Sequence, residues 1–303
     1  MRITGCSLAV VLLVSVYAIA QDAAGPGPEV ESVYAPPAPT RENEGTNEGG
    51  VNFLIDFRFL TDYVWRGIDR SESGGPEDSP NLLFDGKMTF DTGRYPHPFL
   101  GIVANVYDSD PLSRFQEIRP YFGLDWNLRP FLVTVGHANY IFPERDNFNT
   151  AEVFGKCTLD DSYFFRTDQP IASPYVFGAY DYDKGRGAYL ECGISHDFVI
   201  EDTPVTITPG AHIAYVVGDH IFARPIGAVS DPAFDFSVHA PDNGFQHYQV
   251  DLVVTYGLNQ TFNIPKRWGQ FDLKGYLSYT DGIDNKLRAD TQIWGGLGIA
   301  FSY

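Results

Sequence analysis

Positive charge, methionine and cysteine are scarce in this sequence. Its 303 residues include 21 Lys and Arg against 39 Asp and Glu, a formal net charge of −18, with 2 Met and 3 Cys. An acidic excess of that size excludes a basic groove for nucleic acid and non-specific attraction to an anionic membrane surface. The N-terminal apolar run, Leu8 to Ile19, falls short of the ~20 residues a helix needs to cross hydrocarbon. Gly-x-Ser-x-Gly, His-Glu-x-x-His and a phosphate-binding glycine loop are all missing, which removes the usual signatures of hydrolases and nucleotide enzymes. What is abundant is 23 Phe, 18 Tyr, 30 Gly and 21 Pro, in a chain 44% hydrophobic and 20% charged. That composition favours a folded protein of strands and turns over helices.

Arg2, the apolar run and Ala18-Ile19-Ala20 form the charged end, greasy stretch and small-residue site of a secretory signal, with cleavage expected after Ala20. Cys6 precedes the apolar run, out of place for lipid attachment. Residues 21–50 carry five Pro and six acids against the single Arg41, too little apolar surface to offset ordering entropy. The expected organisation is a signal peptide over 1–20, a disordered Pro/acid-rich linker over 21–50 and a folded domain over 51–303.

From Val51 to Arg66 every odd position except Thr61 is apolar or aromatic, while Asn52, Asp56, Arg58, Asp62 and Arg66 fall on even ones. A period of two held this long predicts an extended strand with one greasy face. The alternation returns at 81–92, 116–128, 246–258 and 269–280. Less regular segments lie at 99–108, 131–142, 150–159, 173–182, 187–198 and 205–217, and the last runs from Thr291 to Tyr303. In all, twelve strands are predicted.

A soluble sandwich also alternates, with its greasy face inward. The even strand count, the strand lengths and the aromatic ends of the greasy faces (Tyr63, Trp65, Trp126, Tyr215, Tyr256, Trp268, Tyr279, Tyr303) point instead to an all-β, transmembrane, antiparallel up-and-down β-barrel. If strand one starts in the periplasm, the long connections 67–80 and 218–243 are extracellular. Most connections at the other end should then be short, such as Arg129-Pro130, with 160–172 the exception. The final residues, with Gly298, Phe301 and Tyr303, resemble the C-terminal signal by which outer-membrane barrels are recognised for assembly.

Asp62-Tyr63-Val64-Trp65-Arg66-Gly67-Ile68-Asp69-Arg70-Ser71 contains Tyr-x-x-Arg-Gly-x-x-x-Ser. This resembles the signature near the start of the Gcw-type family of bacterial conserved hypothetical outer-membrane proteins. Tyr140-Ile141-Phe142-Pro143 followed by Glu152 fits the same resemblance. So do Ser173-Pro174 and then Tyr180-Asp181-Tyr182, Tyr189, Glu191, Ser195 and His196. The resemblance spans most of the chain after residue 50 and implies an outer-membrane barrel of undefined activity. The acidic tail and the loop 218–243 depart from its compact members.

Parity assigns Asp56, Arg58, Asp62, Arg66, Asp85, Lys87, Glu117, Arg119, Asp125, Glu152, Lys156, Glu191, Asp251, Asp272 and Lys274 to the lumen as expected pore-lining residues. Charges of both signs either flank a water-filled passage or fill the lumen with ion pairs. Twelve strands lie between the eight that nearly fill themselves and the ~16 to 18 that leave an open channel. Two functions stand: a narrow porin-like passage for small solutes, cationic or neutral, and a non-conducting barrel displaying loops for adhesion or envelope structure. An outer-membrane hydrolase is a third and weaker reading. Ser195 and His196 are adjacent and point to opposite faces of a strand, so they form no dyad, and His137 and His212 could face inward as isolated hydrogen-bonders.

No cofactor and no metal is expected, because Asp108-Ser109-Asp110 and Asp281-Gly282-Ile283-Asp284-Asn285 lack calcium-loop spacing. The expected partners are outer-membrane lipid, the barrel assembly machinery and small solutes, not nucleic acid, in the bacterial outer membrane. Cys157 and Cys192 fall on the outer faces of strands six and eight, about 10 Å apart and beyond the ~7 Å reach of a disulfide, so free thiols are predicted.

Overall fold

The structure, a computed structural model, describes residues 50–69, 80–107, 117–143, 149–167, 169–218, 243–284, 287, 289 and 291–303. The signal peptide, nearly all of the linker, Ser71, Asp108-Ser109-Asp110, Asn285 and most of the connection 218–243 lie outside the described residues.

The wall is built from β1 (Val51–Leu60), β2 (Asn81–Phe90), β3 (His97–Tyr107), β4 (Glu117–Leu128), β5 (Phe131–Tyr140) and β6 (Thr150–Leu159). It continues with β7 (Tyr175–Asp181), β8 (Gly187–Ser195), β9 (Val205–Gly218), β10 (Gly244–Gly257), β11 (Gln270–Gly282) and β12 (Gln292–Ser302). Each strand pairs antiparallel with its sequence neighbours, and β1 pairs with β12 from Leu54↔Ser302 to Leu60↔Gly296, closing the sheet. Closure removes the edge whose unpaired groups hydrocarbon would not tolerate.

The alternation becomes the two faces of this wall. Leu82, Phe122, Leu124, Trp126, Val250, Leu252 and Leu277 are exposed on the outside, while Lys87, Arg119, Asp125 and Glu191 are buried inside. An apolar exterior around a charged interior is the arrangement of an outer-membrane barrel. Inside, a glycine lets an aromatic ring lie flat on the wall. A Cβ on Gly101 would stand 2.2 Å from the Tyr121 ring, and the Tyr121 hydroxyl donates to Asp85 at 2.9 Å.

Three details differ from the sequence expectation. The first strand stops at Leu60, so Tyr63 and Trp65 are not part of an outward aromatic belt; each is 1% exposed in the interior. At the end where β1 begins and β12 finishes, 91–96 and 129–130 are short, yet 160–174, 196–204 and 258–269 are all long. Two of these carry short helices, α1 (Ser162–Phe165) and α2 (Leu258–Phe262). Side chains sustain the length: the Asp161 carboxylate accepts the backbone N–H groups of Ile171 and Ala172 at 2.8 and 2.9 Å. His137 faces outward on β5, its Nε2 2.6 Å from the Tyr182 hydroxyl and its ring beside the exposed Phe122.

Candidate functional site

Beyond β1 the chain turns into the barrel. Arg66 and Gly67 both have positive φ, 53° and 72°, the combination that a tight two-residue hairpin turn of the primed kind requires. The turn joins Val64–Trp65 to Ile68–Asp69, with Val64 opposite Asp69 and Trp65 opposite Ile68. Tyr63, Val64, Trp65 and Ile68 are buried. Tyr63 and Trp65 share one hydrophobic cluster with Leu83, Phe99, Tyr140, Phe177 and Tyr189 of the wall. Apolar burial therefore draws this segment inward, into the lumen at the end opposite the one where β1 begins and β12 finishes.

Polar contacts fix its position. The Arg66 guanidinium donates through Nη1 and Nη2 to the two Glu152 oxygens at 3.1 and 3.0 Å, a bidentate fork, and Tyr140 donates to the same carboxylate at 3.0 Å. The guanidinium carbon lies 4.2 Å from the Trp65 ring centroid and 4.5 Å from that of Tyr189. The Tyr63 hydroxyl accepts from Arg119 at 2.6 Å, and Arg119 also binds Glu117 through Nε at 2.8 Å. Gln292 of β12 donates to Asp69 at 2.9 Å. The tip rests on β10, where a Cβ on Gly67 would come within 2.5 Å of the His247 ring.

Toward the opposite end the wall charges pair among themselves. Lys87 meets Asp125 at 2.6 Å, and Asp125 also accepts from Thr134 at 2.7 Å. Asp56 holds Arg58 at 3.0 Å, with Tyr276 at 3.2 Å and Lys274 at 3.6 Å. Glu191 accepts from Tyr175 and Tyr189 at 2.6 and 2.8 Å. His212 stands between Glu191 and Asp251, 3.7 and 3.9 Å away, and Ser278 donates to Asp251 at 2.6 Å. Asp272 accepts from Gln270 at 2.7 Å, and the Lys156 ammonium lies 4.5 Å over the Tyr175 ring.

Every charge assigned to the lumen from parity is buried or half-buried inside the barrel. Asp62 and Arg66 get there through the hairpin rather than as continuations of β1. Sequence reasoning missed Tyr140, Tyr189 and His247 as members of this constellation. The signal was present for two of them, since Tyr189 shares parity with Glu191 and His247 with Asp251. Cys157 and Cys192 are free, each directly opposite Val176 of β7 on either side.

No protein-family model and no curated protein matches the chain. The likenesses are to solved barrels. Over 86% of its length the chain is similar to the COG4313 outer membrane channel from Pseudomonas putida F1, covering 98% of that chain at 7% identity with a TM-score of 0.43. The transport unit of the autotransporter AIDA-I from Escherichia coli matches 90% of the chain and is itself 94% covered, at 11% identity and a TM-score of 0.34. OprD from Pseudomonas aeruginosa matches 86%, is 96% covered, and gives 10% identity and a TM-score of 0.26.

Proposed function

We propose that this barrel is a narrow, non-catalytic passage for small solutes whose constriction is the hairpin Val64–Asp69. The observation that carries the reading is that the occluding element is separate from the wall. The hairpin pairs with itself, whereas the wall closes through β1 and β12 without it. Occlusion then depends on a few contacts, chiefly Arg66 with Glu152. Beneath the hairpin the charges Asp56, Lys87, Asp125, Glu191, Asp251 and Lys274 would line the route. In the same proposal the Gcw-type signature is the hairpin itself, Tyr63, Arg66 and Gly67 being its anchor, fork and tip. Gly298, Phe301 and Tyr303 serve as the assembly signal in this reading.

A non-conducting barrel is the second reading, favoured by the internal pairing of the lumen charges. Planar-bilayer recording of refolded protein separates the two. Wild type should give small or rare conductance steps. Arg66→Ala, which leaves Glu152 buried without its fork, and a variant lacking residues 64–69 should give larger and more frequent ones. Silence from both variants, with the barrel shown to be folded by circular dichroism, would sink the passage and leave the structural barrel.

A further inference from the structure

The connection between β10 and β11, residues 258–269, lies at the barrel end where β1 begins and β12 finishes. In barrels with long loops on one side and the chain ends on the other, this is the periplasmic end. One buried side chain holds the connection together. The Asn259 Nδ2 donates to the carbonyls of Ile264 and Gly269 at 3.3 and 2.7 Å, and its Oδ1 accepts the Phe271 N–H at 2.6 Å. The fastened loop consists of α2, a left-handed Asn263 and a single 3-10 turn, Lys266–Trp268.

This rigid loop presents apolar rings to its surroundings. Phe262 is 67% exposed and Trp268 62% exposed, and Lys266 and Arg267 are exposed beside them. Both neighbouring strands carry exposed apolar residues toward it, Leu252 and Val254 on β10 and Leu273 on β11, so the loop continues the lipid-facing surface at its lower margin. Aromatic rings at such a margin favour the boundary between acyl chains and headgroups, and adjacent cations there attract anionic lipid. The pair of cations stands out against a chain of net charge −18. The acids Glu201 and Asp202 belong to a different turn, 196–204, whose Pro204 carbonyl accepts the N–H of Gly257, the last residue of β10, at 2.8 Å.

We propose that Lys266, Arg267, Phe262 and Trp268 form a binding site for an anionic phospholipid of the phosphatidylglycerol type in the periplasm-facing leaflet. The phosphate lies against the two cations, and the glycerol and upper acyl chains lie against the two rings. A soluble phosphate would satisfy the cations and leave the rings bare, so the lipid is the occupant that matches all four side chains. This inference rests on the barrel and not on solute passage, and it stands or falls separately from that reading.

The test uses the full mature chain refolded into phosphatidylcholine vesicles containing equal small fractions of brominated phosphatidylglycerol or brominated phosphatidylcholine. Bromine quenches tryptophan fluorescence on contact. Wild type should be quenched several-fold more by the brominated phosphatidylglycerol, the preference should collapse in 1 M salt, and soluble glycerol phosphate should not compete. Lys266→Gln with Arg267→Gln should remove the preference, while Lys184→Gln with Arg186→Gln at the opposite end should keep it. Equal quenching by the two lipids in wild type overturns the proposal. So does an unchanged preference in the Lys266/Arg267 variant, or full competition by glycerol phosphate. If the double variant fails to fold, the wild-type salt arm decides alone.

Discussion

Gly67 carries two constraints at once. Its φ of 72° is one that side-chain-bearing residues adopt at a cost of about 1 kcal/mol or more, and the space for a Cβ is taken by the His247 ring. Gly67→Ala should therefore undock the hairpin without opening the wall. Acrylamide quenching of tryptophan should rise because Trp65 becomes reachable, while the far-ultraviolet circular dichroism stays that of the barrel. Unchanged quenching would mean that the tip tolerates the methyl group and that His247 does not constrain it. Asp197, in the turn between β8 and β9, is a second residue with a legible cost. Burial pushes its carboxyl above the ordinary value, and the Thr208 hydroxyl bond pulls it partly back. The folded state favours the neutral acid, so Asp197 detracts from stability at neutral pH, and that cost fades as pH falls from the raised folded value toward the ordinary aspartate value of ~3.9, below which it is gone. Asp197→Asn should raise the guanidinium midpoint of refolded protein at pH 7 and leave it unchanged near pH 3. A lower midpoint at pH 7 would contradict this sign.

Strands were the legible elements, and the hairpin was not, for a common reason. Alternation reports which side of a strand a residue occupies, and a hairpin is itself extended, so Asp62-Tyr63-Val64-Trp65-Arg66 kept the period of β1 after the chain had left the wall. The readable sign of departure was Gly67, which takes a positive φ in a tight turn without the cost a side chain carries. Aromatic residues misled in the same way. Tyr63 and Trp65 read as an interfacial belt because greasy faces point to lipid, yet the barrel also holds an internal hydrophobic cluster that consumes them. Internal cores of this kind make the wall demanding of small residues. Tyr121 of β4 lies over Gly101 of the adjacent β3, and its hydroxyl reaches Asp85 on β2. Gly101→Val should displace the ring, break that hydrogen bond and lower the thermal midpoint by the margin of an overpacked core, about 1 to 3 kcal/mol in stability. The heat-induced mobility shift of folded barrels on gels gives the readout, and a midpoint equal to wild type would show that the ring has another resting place.

At the scale of the molecule, the strand that closes the wall is also the one that bears the proposed assembly signal. β12 pairs with β11 on one side and β1 on the other, and Tyr303 continues the seam through reciprocal backbone bonds with Phe53 at 2.7 and 2.9 Å. Phe301 lies on the same outward parity as the exposed Leu297 and Ile299, beside Phe271 at 4.8 Å and Tyr303 at 6.5 Å between ring centroids. An outward ring gains little from protein packing that lipid would not also supply, because dispersion with acyl chains replaces dispersion with side chains. If Phe301 served only the wall, its removal would weaken refolding and cellular assembly together and slightly. If it is part of the assembly signal, the two separate. Phe301→Ala should then refold in detergent with near wild-type yield and heat-shift behaviour, yet accumulate far less in outer membranes of expressing cells. Gly298→Ala should behave differently, since a Cβ there would stand 2.8 Å from the Phe57 carbonyl oxygen and 3.1 Å from the Tyr276 ring, and refolding itself should suffer. Parallel losses in both assays for Phe301→Ala would assign that residue to wall packing and leave the C-terminal resemblance without a function.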